Sequence, residues 1–269
     1  MSSKQISPPD RSAEGWHPQR VVLHLVPAFF LVVALLPTLS TGVFGANDDD
    51  AAIAMRLADL LRSARTVISL NQAVINDPDV GDKALTGEKV LSDTIALLNE
   101  QTGVDPRDTD PSTLEGKLLR AQMDAIAAVV DENQSTINAK GIGFKGFIPA
   151  VFARLVNERF ADMVGDAAIV KVTAPENLVR NRKARPDAWE ATVIKNEFLE
   201  PNWPKGQPFS ELVDVDGRSA YRILVPEYYD ASCLSCHGEP AGEVDITGYP
   251  KEGGKEGDLG AAISITLFK

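Results

Sequence analysis

The chain has 269 residues, 44% hydrophobic, 24% charged and 6% aromatic, which is the composition of a globular protein and excludes a disordered, collagen-like or multi-span membrane chain. Its net charge of −11 argues against a nucleic-acid partner, because neutralising phosphates needs a surplus of Lys and Arg. Two Cys and three His are too few for a disulfide-stapled fold or for a Cys₄ zinc site built by one chain.

Residues 21–46 contain no Asp, Glu, Lys or Arg and end in small residues, as an export signal or a single membrane anchor does. Cleaved signals have apolar runs of about 7–15 residues and spanning helices about 20; the uninterrupted stretch from Val21 to Leu39 lies between the two. Either outcome divides the chain into a leader, residues 1–46, and a periplasmic or otherwise extracytoplasmic domain, residues 47–269. Loss of the leader removes His17 and His24, so the exported domain keeps a single histidine, His237. That rules out a serine-hydrolase triad and a multi-histidine metal site there.

From Asp48 to about Asn76 apolar residues recur at helical spacing through Ile53, Leu57, Leu60, Ala64, Val67 and Val74. This near-heptad stripe also suits pairing with a second copy of the chain as a homodimer. A second helix is expected over Thr86–Thr102, ending at Gly103. Ser112 with Glu115 has the spacing of a capping box that opens a third, with Leu114, Leu118, Ala121, Ala125, Ile126 and Val129 on one face. Pro149 sits near the start of a fourth, whose stripe is Phe152, Leu155, Val156, Phe160 and Met163.

After Gly165 the period changes to two. Short strands are expected at Ala168–Val172 and Glu190–Ile194. Ser210–Val215 and Arg218–Val225 flank Asp216-Gly217, the pair that a type I′ hairpin favours. A last strand, Ala261–Phe268, alternates Ile263, Ile265 and Leu267 with Ser264 and Thr266. Helices first and an antiparallel sheet second give the α+β class.

Cys233-Leu234-Ser235-Cys236-His237 is a C-x-x-C-H run, which in an exported protein reads as a c-type haem attachment site. Two cysteines three positions apart can each form a thioether with one haem vinyl group, and the adjacent histidine then falls under the iron as proximal ligand. The rival readings are a thioredoxin-like dithiol, which needs a thiolate stabilised at a helix N-terminus, and a chance pair of surface cysteines. The glycine-rich stretch Gly238–Gly260 is expected either to wrap the haem edge or to be an exposed loop.

These residues resemble the haem c-binding PAS-like domain family, formerly a domain of unknown function, whose members are stand-alone exported proteins and sensor modules of histidine kinases and chemoreceptors. The resemblance is carried by GIGFKGFIPAVFARLVNERF (141–160), PDAWE (186–190) and residues 228–267, which include YYDASCLSCHGEP, VDITGYPKEG and GDLGAAISITL. It implies a PAS-like antiparallel sheet with N-terminal and flanking helices, and one covalent haem c on Cys233 and Cys236 with His237 on the iron. Where a family member supplies an upstream cysteine as sixth ligand, this chain has none. Met55, Met123, Met163, Tyr228 and Tyr229 are the alternatives, each also readable as packing.

Several further residues are candidates for the haem pocket. Asn71 lies on the stripe of the first helix, where it can face a bound gas or be an ordinary buried amide. Arg180, Arg182 and Arg185 can pair with haem propionates or be a solvated basic loop. Phe144 and Phe147 can wall the pocket or belong to the core. The functions implied are a redox or small-ligand sensor for NO, CO or O₂, acting through a separate signalling protein, or a monohaem electron-transfer cytochrome with a redox partner. A peroxidase-like enzyme is disfavoured because the exported domain has no second histidine to serve as acid and base.

Overall fold

Apolar spacing sets the helices of the N-terminal half, and capping residues set where they start and stop. The computed structural model describes residues 46–269; the leader, with His17 and His24, lies outside the described residues. Helix α1 (Ala46–Leu70) buries Leu57, Leu60, Leu61, Ala64 and Ile68 completely, an i, i+3, i+4 stripe that faces the chain's own core. The surface expected to meet a second copy is therefore packed internally.

The first helix is shorter than its periodicity predicts. Asn71 separates α1 from the single turn α2 (Gln72–Ile75), and its amide Nδ2 shares the Val67 carbonyl, at 2.8 Å, with its own backbone N–H. The side-chain bond takes one of the two Nδ2 hydrogens of Asn71.

Helix α3 (Gly87–Thr102) opens on Thr86, whose hydroxyl accepts from Lys89 N, and stops at Gly103, which has a φ of 72°. Helix α4 (Leu114–Glu132) opens on Thr113, which accepts from Gly116 N at 3.0 Å. The capping box assigned to Ser112 and Glu115 is thus corrected: the Ser112 hydroxyl turns back to Asp110, and Glu115 pairs with Arg56. A further turn, α5 (Gln134–Ile137), precedes α6 (Pro149–Val164). Phe152, Val156 and Phe160 of α6 are fully buried, whereas Met163, at its far end, is exposed. Among the described residues no helix is long and apolar enough to cross a membrane.

The sheet has four antiparallel strands in the order β1-β4-β3-β2: β1 (Ala168–Thr173), β2 (Phe209–Val215), β3 (Arg218–Tyr228) and β4 (Leu259–Phe268). The hairpin forms as expected. Val215 faces Arg218, and Asp216 and Gly217 have φ of 53° and 82°, the two positive values a type I′ turn requires. Alternation then sorts the side chains. Tyr221, Ile223 and Val225 of β3 and Ile263, Ile265 and Leu267 of β4 join α1, α3, α4 and α6 in the main core.

The other face of the sheet is covered by helix α7 (Ala188–Val193) and a π-helical turn, Ile194–Phe198. With Leu224, Ala262, Trp189, Trp203 and Phe209 they form a second apolar cluster. The strand expected over Glu190–Ile194 is therefore a helix. Asp187 and Glu190 form a full capping box, and that start signal overrides the β-branched run Thr192-Val193-Ile194. Glu190 is 1% exposed. It accepts from Lys171 Nζ at 2.7 Å, and Arg222 Nη2 lies 3.4 Å away. Arg222 also bonds Asp187 at 2.7 Å and lies over the Trp189 ring. PDAWE thus fastens α7 to the sheet. The architecture is α+β with a four-stranded antiparallel sheet.

Candidate functional site

Strand β3 delivers the chain directly into the C-x-x-C-H run. Glu227, at its end, is held by Arg62 and Arg65 of α1 at 2.7 and 2.9 Å, which fixes where the strand exits. Asp230 then organises the turn, its Oδ1 accepting from Ser232 N, Ser232 Oγ and Cys233 N. The next residues close one helical turn, α8 (Leu234–His237), with His237 N donating to Cys233 O at 3.0 Å. Cys233, Cys236 and His237 stand at i, i+3 and i+4, so they share one face.

Both thiols are free and partly exposed. Burial pushes the Cys233 thiol above its ordinary pKa, with the adjacent Asp230 carboxylate adding to the rise. A redox-active dithiol needs the opposite shift, toward thiolate. The environment of Cys233 thus does not favour a disulfide-exchange pair.

His237 is fixed on two sides. Its Nδ1 lies 2.9 Å from Glu252 Oε2, and the Tyr229 ring stacks on the imidazole with centroids 5.0 Å apart and planes 18° from parallel. Among the described residues nothing hydrogen-bonds Nε2. A carboxylate beside Nδ1 favours the proton on that nitrogen and leaves the Nε2 lone pair available. With 30% of the side chain exposed, the ring remains within reach of a ligand.

Arg180 ties these parts together. Its guanidinium donates to Asp245 Oδ2 at 2.6 Å, to both oxygens of Glu252 at 2.8 and 2.9 Å, and to the carbonyl of Cys236 at 2.9 Å. Burial alone would raise the Glu252 carboxyl, but hydrogen bonds from Arg180 and His237 outweigh it and hold the group below its usual pKa. For Asp245, burial is likewise outweighed, here by Thr247 and Arg180, and its pKa is lowered. The ion pairs raise the Arg180 pKa against the effect of burial. The propionate role expected of Arg180 is therefore corrected: its donors are engaged inside the protein. Arg182 is exposed, and the carbonyl of Arg185 accepts from Lys171.

The glycine-rich loop has a definite task. Gly254 N donates to His237 O at 2.7 Å, and Tyr229 is clasped between Asp258 O and Gly257 N at 2.9 and 2.8 Å. A Cβ on Gly254 would sit 2.7 Å from the Tyr229 ring, and one on Gly260 closer still. The loop lies backbone-first against the tyrosine because glycine alone permits it. Among the described residues Tyr229 Oη is buried without a partner, and burial, then Glu252, pushes its pKa up to about 12. Gly260→Val is expected to drive the ring off His237 and cost about 1–3 kcal/mol. Urea unfolding checks the cost, and a midpoint equal to the parent's would contradict it.

The other expected pocket residues lie elsewhere or serve other ends. Tyr228 accepts from Gly206 N at 3.2 Å and carries Lys205 Nζ over its ring; its neighbour Tyr229 is the one at the histidine. Phe147 is core, edge-on to Phe152 at 5.9 Å, and Phe144 is half-buried in the same loop. Met123 is buried in the main core and Met55 packs against it. Sequence reading missed Glu252, which is brought to His237 by the 15-residue return of the loop. Its one visible signal was its place inside a family-like stretch.

Among the described residues, the groups fit a covalently held haem: two thiols and one imidazole on a single face, an Nε2 free of hydrogen bonds, and a buried phenol without a partner stacked on the imidazole. The chain matches the family model described as Tll0287-like over residues 110–267. No curated protein and no solved structure matches it.

Proposed function

The chain belongs to the Tll0287-like family, and from that premise we propose that it is an exported monohaem c protein with a PAS-like domain, acting as a redox or small-ligand sensor through a separate signalling partner. One observation carries the reading. Cys233, Cys236 and His237 form a single helical turn in which His237 Nδ1 is bonded to a carboxylate and Nε2 is not. Cys233 and Cys236 would hold the haem through thioethers, and His237 would bind its iron. Bound there, the haem supplies a one-electron couple and an iron that takes small ligands.

The protein's part is to position. The α8 turn sets the two sulfurs and the imidazole in register, Tyr229 and Glu252 fix the ring plane, and Arg180 pins the loop to Cys236. The uncharged apolar stretch at residues 21–46 supports export and with it covalent attachment, and the packing of helices on an antiparallel sheet supports the PAS-like reading. No cysteine lies upstream of Cys233, and this favours sensing over electron transfer because it leaves the sixth position to a weaker or exchangeable group.

The test is the absorption spectrum of the full chain made in a host that matures haem c, recorded ferric, ferrous, and ferrous with CO. A covalent haem with a clear CO shift is the expected result. A haem spectrum that CO leaves unchanged would assign the protein to electron transfer, and a product without haem would sink the proposal.

A further inference from the structure

Resting on the haem-binding reading above, the geometry points to Glu252 as a positioning residue that strengthens His237 as an electron donor to the iron and thereby lowers the reduction potential of the haem. Three observations carry this. The first is that the acceptor at Nδ1 is a carboxylate oxygen, 2.9 Å away. A charged acceptor draws the proton more strongly than a neutral carbonyl does, which raises the basicity of the imidazole at its other nitrogen.

The second is that the carboxylate cannot turn away. Both of its oxygens accept from Arg180, at 2.8 and 2.9 Å, and Arg180 is itself held by Asp245 at 2.6 Å and by the carbonyl of Cys236 at 2.9 Å. Because that carbonyl belongs to the attachment turn, the acceptor and the ligand are built on one frame. The third is the charge count. One guanidinium faces two carboxylates, Glu252 and Asp245, so the cluster behind the histidine is net negative. A stronger donor and a negative field both favour ferric over ferrous iron, and hydrogen bonding behind a ligand is a recognised control of haem potential.

Arg180 keeps Asp245 and the Cys236 carbonyl if Glu252 changes, so the frame does not depend on Glu252 alone. Glu252→Gln preserves size while removing the charge. In the haem-loaded full chain it is expected to favour reduction about tenfold or more, which is about 59 mV upward for a one-electron couple. It should also lower the iron–imidazole stretching frequency of the ferrous form. Glu252→Asp keeps the charge but falls one methylene short of Nδ1, and it should shift both readouts the same way by less. It also serves as the measured variant if Glu252→Gln takes up no haem.

A parent protein with no covalent haem would overturn the functional reading and this inference together. A haem-bearing parent whose variant matches it within twofold in the reduction equilibrium, with the stretching frequency unchanged, would overturn this inference alone.

Discussion

Replacing both Cys233 and Cys236 by Ala is expected to abolish covalent haem, so that denatured protein from a haem c-maturing host shows no haem on a gel or in a pyridine haemochrome assay. The effect should be all or none, because thioethers are the only linkage that survives denaturation and the chain has no other cysteine. Single replacements should leave one thioether and a shifted haemochrome band. Folding should be little affected, since both side chains are partly exposed and neither belongs to an apolar cluster. A double variant that keeps covalent haem would refute the assignment of the attachment site. One that unfolds would show that the α8 turn bears on stability more than its burial indicates.

The second large effect is expected far from the site. Glu190→Ala should cost about 3–5 kcal/mol, the range for removing one partner of a buried ion pair. Glu190 is 1% exposed and Arg222 8%, and Lys171 reaches the same carboxylate at 2.7 Å. The substitution strips the capping box of α7, leaves Lys171 without its carboxylate, and leaves Arg222 with Asp187 alone. For a domain of this size the thermal midpoint should fall by roughly 6–20 °C. Denaturant unfolding of parent and variant in the same haem state measures it, and a loss below about 1 kcal/mol would mean that the pair is screened as a surface pair is.

PDAWE illustrates how a local pattern can mislead. Glu190 to Ile194 reads as a strand because Thr, Val and Ile favour one. The helix wins because Asp187 and Glu190 satisfy each other's backbone donors and because the Glu190 carboxylate, once inside, meets Lys171 and Arg222 from two strands. No window of sequence displays those partners. The Ser112 cap fails for a smaller reason: both adjacent hydroxyls donate to Asp110, Ser112 to its carboxylate and Thr113 to its carbonyl, and Thr113 is the one placed to accept from Gly116 N.

The candidate site divides in the same way. The attachment turn is legible because its chemistry lies within five consecutive residues, and the Asp216-Gly217 hairpin because two positive φ values demand those residue types. The long helices and the last strand are legible for a related reason, since a periodic apolar face is a property of the chain itself.

The groups that surround His237 are not of that kind. Arg180 stands 56 residues from Cys236, and Glu252 stands 15 from the histidine it bonds. Arg180 and Tyr229 are candidates in the sequence for contact with the haem itself, and nothing local shows that they and Glu252 meet at His237. They become a site through long-range closure: β1 and the loop after it bring Arg180, the return toward β4 brings Glu252, and glycines at 254 and 260 let backbone and Tyr229 ring come together. Local chemistry could be read from residue order, whereas the charge and orientation imposed on the histidine arise from contacts that exist only once distant segments are packed.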